Sequence, residues 1–333
     1  MLAPRADRRL RSLLDGASAP VTLNDLVDGR VDPLPFPGSG RTLERWQMLA
    51  SVAAHDLSLV KFFEGHTDAL AILAELGGAD APEGSRWGTW CAEPPNARVE
   101  LVADAAGQWA LHGTKAWCSG AHMVTHAVVS AWNAAGEPCL AAVALGQPGV
   151  VVSDSGWDAV GMAATRSVDV HFDGAVALPV GGPGDYVARP GFWQGGAGIA
   201  ACWYGGAAGI AEMTRQRCGP QPDAHRLAHL GAIDVALAGA AAVLRETAAW
   251  IDEHPASSAQ QCAARARLVV EAAATEVVAR AGRALGAAPL CRDARFAKAM
   301  ADLPVFLRQS HAERDLAALG ASLLPPAEAP WWL

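Results

Sequence analysis

The longest helical pattern in the chain, "DAHRLAHLGAIDVALAGAAAVLRETAAWIDEH" from Asp223 to His254, most constrains the fold. It contains no proline, is rich in alanine and would extend about 45 Å at 1.5 Å per residue. Two more helical segments follow: "CAARARLVVEAAATEVVARAGRALG", which ends at Gly286 before Pro289, and "RDARFAKAMADLPVFLRQSHAERDLAALG", which Pro304 interrupts. Because alanine-rich helices pack closely through small side chains, this region predicts an antiparallel, four-helix-type bundle.

The chain before this bundle divides into a helical part and a strand-rich part. "TLERWQMLASVAAHDLSLVKFFEGHTDALAILAELGG" has apolar residues at helical spacing and a helix stop at Gly77-Gly78. Short β-prone runs such as "VELVADAAGQWALHG" and "SVDVHFDGAVALPVG" then alternate with turn residues. We therefore expect an α+β protein that is mostly α, with an N-terminal helical domain at 1–85, an antiparallel β-barrel or sandwich at 86–188 and the helical bundle at 189–333.

Composition excludes several function classes. The net charge is −8 and no basic stripe is present, which argues against a nucleic-acid partner. The longest apolar runs are rich in glycine and too short to predict a membrane span, and the first twenty residues lack the apolar segment of a signal peptide. Seven scattered cysteines without a CxxC pair predict neither a disulfide framework nor a zinc site. We expect a cytoplasmic protein that binds no metal.

The segment "LHGTKAWCSGA", residues 111–121, places an indole, a hydroxyl and a glycine next to one another. It resembles the segment "L-x-G-x-K-x-W-I-T-x-A" of the acyl-CoA dehydrogenase family, in which the Trp shields one side of the FAD isoalloxazine and the Thr hydroxyl bonds its polar edge. The resemblance implies that Trp117 is the shield and Ser119 the hydroxyl. A flat heteroaromatic ring with hydrogen-bonding edges suits both groups. On spacing alone, an ordinary turn with a packed tryptophan fits as well.

Other segments extend this resemblance over nearly the whole chain. "WCAEPP" is similar to the family's "L-T-E-P" strand end, which implies flavin contacts from Trp90 and Ala92, with only backbone contacts at Ala92 because the family has Ser or Thr there. "RQRCG" is similar to "R-x-x-F-G", which implies that Arg215 reaches the FAD pyrophosphate across a subunit boundary; the alternative is a surface arginine. "GMAATRSVDVHF" and "GAAPLCRDAR" match two more family motifs in chain order.

The family's catalytic base is missing from its expected positions. Members remove the α-proton of an acyl thioester with a Glu, and one position for that Glu, nine residues beyond the Arg of "RDA", is Ala301 here. Candidate replacements are Asp302, His311 and Glu313, since a histidine or a buried carboxylate can act as a general base. Asp315 could orient His311 at i, i+4. Each candidate also fits an ordinary helix-surface or helix-packing residue.

The resemblance implies an FAD-dependent oxidoreductase that dehydrogenates an acyl thioester, bound to CoA or to a carrier protein, with hydride transfer to flavin N5. An electron-transfer flavoprotein is then a possible electron acceptor, and the flavin contact across a subunit boundary implies a homodimer or homotetramer; the alternative is a monomer that binds FAD alone. A second hypothesis is a flavin-dependent monooxygenase on the same scaffold, which needs no Glu base. A third is a non-catalytic relative that keeps the fold for binding.

Overall fold

The N-terminal part of the chain is helical, as predicted. The computed structural model describes residues 5–16, 19–78, 80–324 and 331. A capping box starts the second helix, because the Thr22 side chain accepts from the Asp25 amide and the Asp25 carboxylate accepts from the Thr22 amide. The fourth helix stops at Gly77, which has a positive φ of 72°. The four helices are α1 (Arg5–Gly16), α2 (Leu23–Asp28), α3 (Thr42–His55) and α4 (Leu57–Leu76).

The strand-rich part closes into a barrel and is not a two-sheet sandwich. Its strands are β1 (Trp87–Trp90), β2 (Val99–Ala103), β3 (Trp109–Cys118), β4 (His126–Trp132), β5 (Pro138–Ala144), β6 (Val150–Val152) and β7 (Val168–Val180). Strands β2, β3, β7, β5 and β4 pair in this order, and β4 returns to β2. The prediction of a purely antiparallel sheet is wrong, because β4 pairs in parallel with β1 and with β2.

Helix α4 packs against the barrel strands and shares a hydrophobic core cluster with them. Inward-facing strand residues alternate with exposed ones, as in β7, where Val168, Val170 and Phe172 are buried and His171 is exposed. Burying this surface removes apolar area from water, which is the main favourable contribution to folding. The core cluster consists of Ala69, Ile72 and Leu73 on α4 and of Trp87, Val128, Leu140, Ala142 and Val180 on the strands.

The C-terminal part is mainly helical from Asp185 to Ala321. Pro304 lies in the last turn of the tenth helix, so the predicted third long segment is split and a 3₁₀ turn (Leu307–Gln309) follows the helix. Asp223 caps α7, the longest helix, by accepting from the backbone amides of His225 and Arg226. The helices are α5 (Asp185–Ala188), α6 (Pro190–Arg217), α7 (Ala224–Glu253), α8 (Gln260–Leu285), α9 (Ala287–Arg292), α10 (Ala294–Phe306) and α11 (Glu313–Ala321).

The chain forms two compact units. The first combines the chain up to Leu34 with Ser58–Phe192, and the second combines Pro35–Leu57 with the chain from Trp193 onward. In the second unit α7 packs on α8 and on α3. The division into domains at 1–85, 86–188 and 189–333 stays a prediction.

Glycines of α6 allow it to approach α3 very closely. A Cβ atom on Gly209 would lie 2.8 Å from the Ala54 carbonyl oxygen, and one on Gly205 would overlap the Ala50 backbone. In contrast, a Cβ on Gly196 would meet nothing within 4 Å. The spacing of four residues between Gly205 and Gly209 places both on one face of the helix, which explains the contact.

Candidate functional site

The candidate site is built where β3 ends. The pairing of β3 with β7 passes from Lys115↔Val170 directly to Cys118↔Val168, so β3 has one more residue than β7 in this interval. Such a β-bulge bends a strand and re-aims a side chain. Trp117 lies in the bulge with a φ of 59° and is 52% exposed. The bulge therefore turns the Trp117 indole outward and away from the barrel core.

Ser119 is held by its backbone while its hydroxyl stays available. Its carbonyl oxygen accepts a hydrogen bond from Trp90 Nε1 at 3.2 Å, and its amide donates to the Trp117 carbonyl oxygen at 3.0 Å. The residue is 8% exposed, and its Oγ atom has no hydrogen-bond partner among the residues that the structure describes. The Oγ atom itself is accessible to solvent, so a ligand that enters here can form a hydrogen bond with it.

The next residue, Gly120, connects the loop to its neighbours. Its φ is 70°, and its amide donates to the Thr165 carbonyl oxygen at 3.0 Å. A Cβ atom here would lie 2.8 Å from Phe62 Cδ1, so only glycine fits without a shift of that ring. The loop from Trp117 to Gly120 is thus fixed against α4 on one side and against the 162–167 loop on the other.

Of the two residues predicted to contact a flavin near the end of β1, Trp90 is bonded to this loop. Trp90 is only 2% exposed and uses its indole nitrogen to hold the Ser119 carbonyl, so it supports the loop. Ala92 is half-buried and can offer a ligand only backbone atoms and a methyl group. The structure therefore brings Trp90, Trp117 and Ser119 together. The contact of Ala92 with a flavin stays a prediction.

A charged network lies directly behind the loop. Lys115 is 1% exposed and donates from Nζ to Glu93 Oε1 at 2.5 Å, to Ser130 Oγ at 2.6 Å and to the Ser130 carbonyl oxygen at 3.0 Å. Glu93 also accepts from the Ser130 hydroxyl and, at Oε2, from Trp132 Nε1 at 3.1 Å. Partial burial raises the pKa of the Glu93 carboxyl, but the hydrogen bonds from Lys115, Ser130 and Trp132 outweigh it and lower that pKa overall.

Strained backbone is concentrated in this region. Of the five described non-glycine residues with a positive φ, three lie here, namely Trp117, Met162 (φ 58°) and Arg166 (φ 38°). The 162–167 loop is held by Trp157 Nε1 and Thr165 Oγ1, which both donate to the Met162 carbonyl oxygen. Residues in such conformations cost of order 1 to 3 kcal/mol each and cluster at ligand sites. Their grouping here favours a binding site.

An ion pair that no sequence motif indicates, between Arg166 and Asp154, lies in the same region. Arg166 forms an ion pair with Asp154, and His122 Nε2 lies 3.3 Å from the same carboxylate. All three side chains are partly or largely exposed. No motif marks them, because their proximity depends on the turn after β6 and on the positive φ of Arg166, neither of which the sequence reveals.

Of the candidate bases, Asp302 is the most buried. It is 3% exposed on α10, and its Oδ2 atom accepts from Lys298 Nζ at 2.6 Å, while the same Nζ lies 3.0 Å from Asp56 Oδ2. Burial lowers the pKa of Lys298, but the two carboxylates outweigh it and raise that pKa overall. The group lines a cleft between α3, α6 and α10, together with His55, Leu57, Gly206, Ile210, Met213 and Arg295. The Asp302 carboxylate is therefore already engaged in an ion pair with Lys298.

The other two candidates lie beyond α10. The predicted proximity of His311 to Asp315 is confirmed, because His311 Nδ1 lies 3.5 Å from Asp315 Oδ1 and the His311 amide donates to Oδ2 at 3.0 Å. The His311 side chain is 58% exposed, and Glu313 is exposed in the first turn of α11. In this position both side chains are in solvent. A catalytic function for either stays a prediction.

Arg215, predicted to bind a pyrophosphate, is paired within its own helix. Its Nε and Nη2 atoms each donate at 2.7 Å to the two carboxylate oxygens of Glu212, one turn earlier on α6. The side chain is 67% exposed. Two of the five N–H donors of this guanidinium are therefore used by Glu212.

Comparison with solved structures establishes the fold. Dibenzothiophene monooxygenase TdsC from Paenibacillus sp. A11-2, in its complex with FMN and indole, has a TM-score of 0.79, 21% identity and coverage of 96% of this chain and 95% of that one. Methanesulfinate monooxygenase MsuC from Pseudomonas fluorescens has a TM-score of 0.77 and 20% identity, with coverage of 97% of this chain and 95% of that one. Nitrososynthase from Micromonospora carbonacea var. africana has a TM-score of 0.74 and 19% identity, with coverage of 96% of this chain and 94% of that one.

No protein-family model matches the sequence, and no curated protein matches it either. The likeness to the solved structures nevertheless extends over almost the whole length of both chains. The chain therefore has the acyl-CoA dehydrogenase-like fold, as the sequence resemblance implied.

Proposed function

We propose that the chain is a flavin-dependent oxidoreductase in which Trp117 and Ser119 contact the isoalloxazine ring. The observation that carries the proposal is the pair formed by an exposed indole in a strained bulge and a neighbouring hydroxyl that is accessible and has no hydrogen-bond partner among the described residues. The indole offers a flat face for stacking, and the hydroxyl offers one donor and two acceptors to a polar ring edge. These neutral groups fit a flat heteroaromatic ring with nitrogen and oxygen atoms along its edge.

Within this class we propose monooxygenation in preference to acyl-thioester dehydrogenation. A bound flavin would supply two electrons for the reaction of oxygen with a substrate. Thioester dehydrogenation needs in addition a base for the α-proton, and the family position is Ala301, while the adjacent Asp302 is ion-paired with Lys298. Monooxygenation does not depend on that base. The solved structures with this fold that are named as monooxygenases support the same choice.

We further propose FMN as the flavin, in place of the FAD that the family resemblance implies. The TdsC structure with the same fold holds FMN. In addition, Arg215, the residue expected to reach a second phosphate, is occupied by both oxygens of Glu212. The FAD pyrophosphate would therefore compete with Glu212 for this guanidinium, whereas FMN has no pyrophosphate to bind.

The test is the visible spectrum of the purified protein, followed by titration with FMN and FAD. We expect saturable FMN binding, weaker FAD binding, and loss of both in Trp117→Ala. The matched control is Trp109→Ala, which removes an indole that is 36% exposed at the other end of the same strand. Equal loss in both variants, or no flavin uptake by the wild type, would contradict the proposal.

A second titration separates the two reactions. With bound flavin reduced by a separate reductase, a monooxygenase consumes oxygen and modifies a substrate, for which indole, dibenzothiophene and methanesulfinate serve as first probes. A dehydrogenase is bleached anaerobically by an acyl-CoA. Bleaching by an acyl-CoA without oxygen would favour the alternative function, and would direct attention to Asp302, His311 and Glu313 as bases.

A further inference from the structure

We propose that Glu93 and Lys115 are positioning residues that fix the bulge of β3, and with it the Trp117 indole and the Ser119 hydroxyl, in the orientation needed for flavin binding. This inference rests on the proposed function. It assigns these two residues no contact with the ligand. They act through the loop that makes the contact.

The first argument is the place of Lys115 in the strand. Lys115 is the last residue of β3 in regular register with β7 before the extra residue of the bulge. Because side chains alternate along a strand, a slip of one residue would turn the Trp117 indole toward the opposite face. Lys115 opposes such a slip, since its ammonium has three donor positions and all three are used in hydrogen bonds to Glu93 and Ser130.

The second argument is that one short segment, residues 90–93, forms hydrogen bonds on both sides of the bulge. Trp90 holds the carbonyl of Ser119, beyond the bulge, and Glu93 holds the ammonium of Lys115, before it. Only two residues separate Trp90 from Glu93 along the chain, so the segment acts as a clamp across residues 115–119. A shift of either end therefore moves the indole and the hydroxyl together.

The third argument concerns energy. A buried ion pair loses the hydration of both charges, and an apolar pair of similar size is commonly as stable or more so. Stability alone therefore does not explain an ammonium that is 1% exposed behind a binding loop. Exact hydrogen-bond geometry, which an apolar pair cannot supply, does explain it.

The chain contains a matched control. Arg189 and Glu75 form a second ion pair in the same unit, with Nη1 and Oε2 2.6 Å apart and exposures of 4% and 31%, against 1% and 34% for Lys115 and Glu93. This pair joins α4 to the chain after α5 and has no bond to the bulge. Variants at the two pairs remove comparable interactions, so only a positioning function predicts different results at the loop.

The experiment compares Glu93→Gln and Lys115→Met with Glu75→Gln and Arg189→Met by two measurements. The first is hydrogen exchange of the loop amides, residues 116–124, in the flavin-free protein, and the second is the flavin Kd. For Glu93→Gln and Lys115→Met we expect the exchange rate and the Kd to rise about tenfold or more, since small misplacements of binding groups have effects of this size. For the control pair we expect lower stability, but unchanged loop exchange and flavin Kd.

The outcomes separate this inference from the proposed function. If both pairs of variants change the loop exchange rate equally, or if neither pair changes it, the positioning function is wrong even when flavin binds. If the wild type takes up no flavin but loop exchange still distinguishes the pairs, the proposed function fails while the control of the bulge by Glu93 and Lys115 stands. Glu93→Gln preserves the shape of the side chain, so it guards against a variant that does not fold.

Discussion

Trp117 combines a large exposed ring with a backbone conformation that suits glycine. We predict that Trp117→Gly is more stable than Trp117→Ala by about 1 kcal/mol, because alanine retains the positive-φ strain and glycine does not. Urea unfolding measures the difference. Trp109 is not among the described residues with a positive φ. Trp109→Ala should therefore be more stable than Trp109→Gly, since glycine weakens a strand by about 0.5–1 kcal/mol relative to alanine. A Trp117→Ala variant that is as stable as Trp117→Gly, or more so, would show that the Trp117 backbone is not strained.

Glu93 predicts a specific dependence of stability on pH. Its pKa in the folded protein is below the ordinary value of 4.5, so the charged form stabilises the fold above that pH. This contribution is lost as the pH falls below 4.5 and through the lowered pKa. The stability advantage of the wild type over Glu93→Gln should therefore be full at pH 7 and shrink in acid. A constant difference from pH 7 to pH 2 would exclude the ion pair as its source.

At the scale of elements, the contact between α3 and α6 depends on single glycines. Gly205→Ala should destabilise the protein by about 1–3 kcal/mol, because the added methyl group overlaps the Ala50 backbone. Gly196→Ala on the same helix should stabilise it by about 0.5–1 kcal/mol, since nothing lies near the new methyl group and alanine favours the helix. Thermal unfolding of the two variants tests both signs. A stabilised Gly205→Ala would mean that the helices are further apart.

Much of the element order follows from sequence periodicity, and the exceptions have physical causes. The helix stop at Gly77, the strand runs and the Asp223–His254 helix depend on local patterns, so they could be predicted. The parallel pairing of β1 with β4 could not, because it joins segments about 40 residues apart and leaves no local mark. The interruption at Pro304, in contrast, could be predicted, because a proline cannot continue a helix, although α10 extends to Phe306.

The candidate site could be predicted only in part. Trp117 and Ser119 are neighbours in sequence, so a motif identifies them, and Trp90 follows from its own motif. The bulge, the positive φ of Trp117 and the Lys115–Glu93 pair depend on strand register, which a one-residue difference changes completely. A lysine in an apolar strand was a usable signal, because a buried ammonium requires a partner.

At the scale of the whole molecule, α7 leaves an unusual surface exposed. Leu227, Gly231, Val235, Ala238 and Ala242 form an exposed stripe about 22 Å long at 1.5 Å per residue. By length and composition, α7 is the one helix in the described part of the chain that could cross a membrane, and only 22% of its apolar window is buried. We propose that a second copy of the chain covers this stripe, since small residues allow two helices to approach closely.

We therefore predict a homo-oligomer in solution that Val235→Lys weakens. Val235 is 73% exposed in the single chain, and a charge there would be buried without a partner in the interface. Light scattering should give a smaller mass for this variant than for the wild type. Val151→Lys, at a valine that is 60% exposed on β6, is the control and should leave the mass unchanged. A monomeric wild type would contradict the proposal, and association with lipid vesicles would replace it by a membrane contact.

The sealed ammonium of Lys115 also has a practical consequence. The sequence has only three lysines, and the other two, Lys61 and Lys298, have side-chain exposures of 15% and 40%. An amine-reactive reagent should therefore modify Lys298 first in the native protein and Lys115 only when the barrel opens. Mass-spectrometric detection of acylated Lys115 over time would thus report the rate of barrel opening directly.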